Sequence, residues 1–326
     1  MNKTENKHLE VLLLAWGTIL IWALTYIFTK IGLLYYSAFS LSAFRYLSAG
    51  AVTLVTVVIR REKLPAARDI PLFFLTGGAG FVLYVVALNN GMETVSVSAS
   101  SVIISTSPIM VALLGSILFH EYLGKLQMVA IAVEFIGVLI VCLWNGNVYA
   151  GRGILLIVAA MFCFTGYNLL TRLLVKRYSP YQITEYSMIS AAVLYLFFLP
   201  KTVKGIFEWN RSGVISVLFL GIFGSVIAYA MWNRALNLAD KTSEVTNAMF
   251  LTPLLSSIMS FIMLKEIPGV GTILGGGIII FGLILFTKGT KREDTNAKGS
   301  RERTGSVSKE NQRYGLRKHS GRILFR

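Results

Sequence analysis

The sequence predicts an all-α polytopic membrane protein of ten transmembrane helices, arranged as two inverted five-helix repeats. Three observations predict it. Of the 326 residues 55% are hydrophobic and only 14% charged, with a mean hydropathy of +0.65. A soluble domain carries about 25% charged residues, so the bilayer is the solvent for most of this chain. Apolar runs of about 20 residues, the length that crosses a bilayer, recur along it. Finally, one stretch occurs twice. Pro108, Glu121, Gly124 and Gly137 are matched at one offset of 145 residues by Pro253, Glu266, Gly269 and Gly282, the mark of an internal duplication.

Taken in order, the spans are expected at about 10–31, 38–59, 70–91, 96–119, 125–144, 152–173, 180–200, 212–235, 244–264 and 269–288. The run from Val11 to Phe28 is long enough to span and is not followed by a small-residue cleavage site, so it reads as a first helix rather than a cleaved signal. Pro71, Pro180 and Pro268 stand near span starts, where proline is tolerated, and Pro200 ends the seventh. Tyr84 and Tyr229 extend the 145-residue offset; nearer each half's start it becomes 142, with Trp22 on Phe164, Ser37 on Ser179 and Arg45 on Ser187. The repeats therefore read as 10–144 and 152–288. Five spans per half is an odd number, so the second half enters the membrane inverted, an architecture common among secondary transporters, whose sites lie between the repeats near the midplane.

The net charge of +15 does not indicate nucleic acid. Residues 288–326 hold 12 Lys and Arg against 4 Asp and Glu, and most other cations fall between spans. With both termini cytoplasmic, the inner loops carry 12 Lys and Arg before the tail is counted and the outer loops 6, the bias that orients membrane proteins. The loop with Lys201, Lys204 and Arg211 runs against it. The tail, 289–326, is too polar to bury a core and reads as disordered, free in solvent or resting on anionic lipid at about 1 kcal/mol per charge. Cys142 and Cys163 lie in apolar runs with neither metal-ligand nor disulfide spacing, and read as packing residues. Phosphate loops, metal clusters and nucleophile elbows are not found, so neither metal nor cofactor is expected.

The polar residues inside the spans carry the functional expectations. Ser98, Ser101, Ser105, Pro108 and Ala112 share one helix face, as do Ser243, Thr246, Phe250, Pro253 and Ser257 on the ninth span. Pro108 and Pro253 are candidate hinges, with Ser107 or Thr252 available to a freed carbonyl; close packing by small residues is the alternative. Arg45, inside the second span, is a candidate for an anionic substrate group, or a side chain that snorkels to the interface. Glu134, the one acid deep in a span, is a candidate proton carrier or a neutral hydrogen-bonded packing residue. Glu121 and Glu266 sit at turns where a carboxylate caps a helix N-terminus, with His120 solvated beside the first. Trp22, Tyr26, Tyr84, Tyr167, Asn168, Tyr229, Trp232, Asn233 and Asn247 complete the candidate lining, although interfacial belts also collect Trp and Tyr. Gly271-x-x-x-Gly275, followed by Gly276 and Gly277, makes the tenth span a close-packing helix and a candidate homodimer face.

Trp22-Ala23-Leu24-Thr25-Tyr26-Ile27-Phe28-Thr29-Lys30, Phe44-Arg45-Tyr46 and the doubled Pro…Glu-x-x-Gly…Gly pattern together resemble the drug/metabolite transporter superfamily, EamA type, over residues 11–288. The resemblance implies a central cavity formed mainly by spans one to four and six to nine, and export or exchange of small metabolites, often amino acids or drugs. Ala23 and Leu24 depart from the usual small polar pair, and Glu134 stands where the family is usually apolar. The expected function is thus a multi-pass plasma-membrane secondary transporter, with a small-molecule substrate and lipid as partners. A carrier of phosphorylated or lipid-linked substrates would need more paired cations than Arg45 and Lys30. An intramembrane enzyme would need paired catalytic groups at membrane depth. A channel would not require inverted halves with bending prolines.

Overall fold

The computed structural model describes residues 3–120, 123–144, 148–198, 210–239, 245 and 247–289, and every regular element among them is helical. Helix α1 (Lys3–Gly32) and α2 (Ala38–Arg60) are joined by a short turn whose Ser37 accepts from the Ser40 amide, capping α2. Arg61, at φ 51°, closes α2 in the left-handed region. Next come α3 (Ala67–Met92), α4 (Val97–Phe119), α5 (Lys125–Leu143), α6 (Val148–Leu174), α7 (Pro180–Phe198), α8 (Arg211–Leu238), α9 (Asn247–Leu251 as a 3-10 turn, then Thr252–Leu264) and α10 (Val270–Gly289). Seven helices among the described residues are long and apolar enough to cross a membrane, three fewer than the ten spans expected. Of the others, α5 and α7 have 19 residues each and Thr252–Leu264 is a shorter apolar helix.

Related features recur in both halves. The α3 rod widens into a π-helical stretch at Gly78–Leu83, and α8 does so at Phe219–Ile227; an offset of 145 lays the first within a residue of the second's end. Both α4 and α9 break directly before a proline. In α4 the break falls at Ser105–Thr106, ahead of Pro108; α9 changes from 3-10 to α-helix ahead of Pro253. The hydroxyls recorded on carbonyls at the α4 break are Ser105 Oγ on Val102 O (2.6 Å) and Thr106 Oγ1 on Ile103 O (2.7 Å), not Ser107 as expected. His120 and Lys265, 145 apart, end their helices with φ 54° and 57°, and His120 is exposed as expected.

The halves interlock. α2 packs along α7, α3 along α6 and α7, α1 along α8 and α9, and α4 along α9. At the α4–α9 crossing Ser256 Oγ donates to Ser101 Oγ at 2.7 Å. Helix α10 lies on α5 through glycines. An added Cβ at Gly275 would collide with Val141 and the Gly137 carbonyl, one at Gly137 with Ile279, and one at Gly271 with Trp144. Gly271 and Gly275 are thus turned onto α5 of their own chain, the close packing expected of them, and this pair of glycines is not available as a dimer face. Leu54, Val58, Ile59, Leu83, Ile117 and Phe281 are left exposed, as side chains that meet lipid are.

Candidate functional site

Charge and aromatic rings converge where the halves meet. Arg45 sits two turns into α2, at the close approach of α8, and is only 8% exposed. That corrects the snorkelling alternative: the guanidinium stays inside and donates through Nε to Ser225 Oγ of α8 at 3.1 Å. The Tyr46 ring lies beside it, 5.3 Å from Cζ to centroid. Arg45 borders a central cavity of about 90 Å³ shared with Trp22, Tyr26, Tyr84, Ser101 and Tyr229.

The π-helical stretches supply two of those rings. Tyr84 stands directly after Gly78–Leu83 and Tyr229 two residues past Phe219–Ile227. A π turn inserts a residue and re-aims the side chains beyond it, and such turns gather at functional sites. The carbonyl of Phe81, inside the α3 stretch, accepts from the Tyr195 hydroxyl at 3.1 Å. Tyr229 meets Trp22 edge-on (centroids 5.3 Å, 66°), and Trp22 meets Trp232 at 5.2 Å.

A second cavity of about 420 Å³ continues from the first, sharing Trp22, Ser107, Pro108, Phe164, Tyr229 and Met249. It runs to the end where α6 finishes and α7 begins, lined there by Tyr167, Asn168, Arg172, Pro180, Trp232 and Asn233. Asn168 donates to its own helix at Phe164 O (2.8 Å); Asn233 ties α8 to α7 through Thr184 Oγ1 at 3.2 Å. Both amides face the interior, as expected.

The opposite end is spanned by hydrogen bonds. Along α1 the cavity residues run from Trp22 through Tyr26 to Thr29, away from the vestibule, and Lys30 comes next. Lys30 Nζ donates to the carbonyls of Met92, at the end of α3, and of Val95 (2.9 Å for Val95). Glu266 Oε2 accepts from the Val97 amide at 3.0 Å and the Ser260 hydroxyl at 2.6 Å. The expected capping role of Glu266 holds with a change of helix. It caps α4, in the other half of the sequence, rather than the next helix along the chain.

Of the expected lining, Trp22, Tyr26, Arg45, Tyr84, Ser101, Ser105, Tyr229 and Pro108 meet at the central cavity, and Tyr167, Asn168, Trp232 and Asn233 line the vestibule. Pro253 is buried in α9 and borders neither cavity. Glu134 is apart from them too. It lies on α5 with its Cγ against Gly282 of α10, beside a separate apolar cavity of about 630 Å³ between α4, α5 and α6. Among the described residues neither of its oxygens has a hydrogen-bond partner, which corrects the expectation of a hydrogen-bonded packing residue. Glu121, Thr246, Ser243, Pro200, the Lys201–Lys204 stretch, the tail beyond 289 and the side chains of Asn247, Phe250 and Cys142 lie outside the described residues. Sequence reasoning missed Ser225, Tyr46 and the buried Asn89, which donates to Ser42 Oγ at 2.9 Å. Ser225 stands one turn before Tyr229, a spacing that could have placed it on the cavity face.

The EamA-like transporter family matches this chain twice, over residues 9–143 and 151–288. The chain is 29% identical over 268 residues to the uncharacterized transporter YdfC of Bacillus subtilis, covering 82% of this chain and 87% of that one. It is 26% identical over 286 residues to a probable terminal-alkyne amino-acid exporter of Streptantibioticus cattleyicolor, covering 87% and 96%. A crystal structure resembles it in fold, with a TM-score of 0.59 at 17% identity over 85% of this chain and 97% of that one. Two family matches that together span nearly all of the helical region, on a chain whose apolar helices are built to cross a membrane, place this protein in the EamA-like transporter family as a multi-pass membrane transporter.

Proposed function

We propose that this protein is a secondary-active transporter of the plasma membrane that exports or exchanges small amphipathic metabolites bearing a carboxylate. The reading takes ten spans in two inverted repeats, 10–144 and 152–288, with both termini and the basic tail 289–326 cytoplasmic. Substrate alternates between the two faces through the central cavity, and the breaks before Pro108 and Pro253 serve as bending points. The observation that carries it is Arg45. A buried guanidinium without an acidic partner among the described residues, in an aromatic-lined cavity between the halves, is costly in a membrane interior unless a ligand supplies the counter-charge. The vestibule on one side and the hydrogen-bonded end on the other suit a conformation open to the cytoplasm. The relative named as an amino-acid exporter supports a substrate with a carboxylate and an apolar body.

The test is zero-trans exchange in proteoliposomes of one substrate in carboxylate and decarboxylated forms, with wild type and Arg45→Lys. Lys keeps the charge but loses the planar fork that grips a carboxylate through two bonds. Losing one charge-assisted bond weakens affinity by about tenfold to a hundredfold. The carboxylate form alone should suffer; equal loss for both forms, or none for either, overturns the assignment.

A further inference from the structure

We propose that Ser225 is the positioning residue that makes Arg45 a reader of planar oxyanions, and that the π-helical turn of α8 exists at this point to present it. The inference rests on the reading of Arg45 as the substrate contact. Arginine has donors only, so in the Arg45–Ser225 contact the hydroxyl must accept. Its own proton then goes to the Leu220 carbonyl, five residues back, at 3.0 Å. That is the spacing of a π turn and not of an α-helix. A chain of two bonds thus runs from the Leu220 carbonyl through Ser225 Oγ to Arg45 Nε.

The crossing that brings them together is close. A Cβ at Gly221 would stand 2.8 Å from the Arg45 carbonyl and overlap Ser48. No residue larger than glycine fits there without parting α2 from α8. The bond at Nε and the Tyr46 ring beside the guanidinium restrain the swing of Arg45 about its long stem. Among the described residues its two Nη groups have no hydrogen-bond partner, and a planar guanidinium offers them to a cavity ligand as parallel donors. Such a pair fits a carboxylate and has no second bond to give a neutral, singly accepting group. Ser225 contributes by fixing the fork, which sharpens selection between oxyanion and neutral isostere.

The probes are phenylacetate and its neutral isostere phenylacetamide, with benzoate and L-phenylalanine as further carboxylates. Binding to the purified full chain is titrated by Trp fluorescence, Trp22 and Trp232 lying at the cavity and vestibule. The variants are Ser225→Ala, Ser225→Thr and Arg45→Lys, each with its thermal midpoint measured. Wild type should prefer carboxylate over amide. Ser225→Ala should reduce that preference about tenfold, the scale of one charge-assisted bond, while amide binding is kept. Ser225→Thr, which retains the hydroxyl, should restore it. If Arg45→Lys loses the preference and Ser225→Ala does not, the positioning role is overturned and the carboxylate reading stands. If Ser225→Ala weakens both probes equally, or Ser225→Thr fails to rescue while keeping its midpoint, the residue is structural and the proposal falls. If wild type binds none of the carboxylates, or Arg45→Lys binds them unchanged, the reading of Arg45 falls and this inference with it.

Discussion

Arg45 and Glu134 are the two charges that stand out inside the spans from sequence alone, and the structure treats them differently. Arg45 has a partner, a cavity and a ring beside it. Glu134 is 2% exposed and has no partner for either oxygen among the described residues. An orphaned buried acceptor costs about 1–3 kcal/mol, and replacing it by an apolar group of similar volume removes that term. Glu134→Met should therefore raise the thermal midpoint of the purified protein. Glu134→Gln should retain substrate exchange, because the residue is separate from the central cavity; loss of binding in that variant would contradict its placement. What the sequence showed at this scale was residue type and depth. It could not show that Arg45 would find Ser225, because the pair is 180 residues apart and the meeting depends on a crossing of helices.

Helices were legible from hydropathy, and their breaks from proline. The π-helical stretches were not. Gly78–Leu83 and Phe219–Ile227 read as ordinary apolar helix, since a single inserted residue leaves hydrophobicity unchanged and shows only as a shift of facing. The glycines of α10 were legible as a close-packing face, but not which helix would fill it. Glu266 was legible as a cap, but not which helix it would cap. Its actual partner tests the hydrogen-bonded end. With Glu266→Ala the Val97 amide and the Ser260 hydroxyl lose their acceptor, and the link through Glu266 between α9 and the first turn of α4 is lost. In a background without Cys142 and Cys163, a cysteine at Thr29 should then react faster with an impermeant maleimide from the Lys30 side than in the parent. Equal rates in the two would mean that Glu266 does not hold this end.

At the scale of the molecule, the duplication was legible because four residues shared one offset, and two family matches of similar length agree with it. The orientation in the membrane is a matter of loop charge. A cysteine at Asn147 should label from outside with an impermeant reagent and one at Arg68 should not; the reverse pattern would invert the proposed topology. The two halves are alike in framework and unlike in charge. Thr76 and Ser187, which the repeat offsets match to Gly221 and Arg45, join α3 to α7 through a neutral hydroxyl pair at 2.7 Å. The bonds at the Lys30 end have a further property. Lys30 reaches the carbonyls of Met92 and Val95, and Glu266 reaches the amide of Val97. Three of the groups gripped belong to the main chain, which every residue except proline carries in full. Side-chain changes at 92, 95 and 97 leave the gripped atoms in place as long as the buried packing of these three residues is kept. The side chains on which the contact depends are Lys30, Glu266 and Ser260, whose hydroxyl Glu266 also holds.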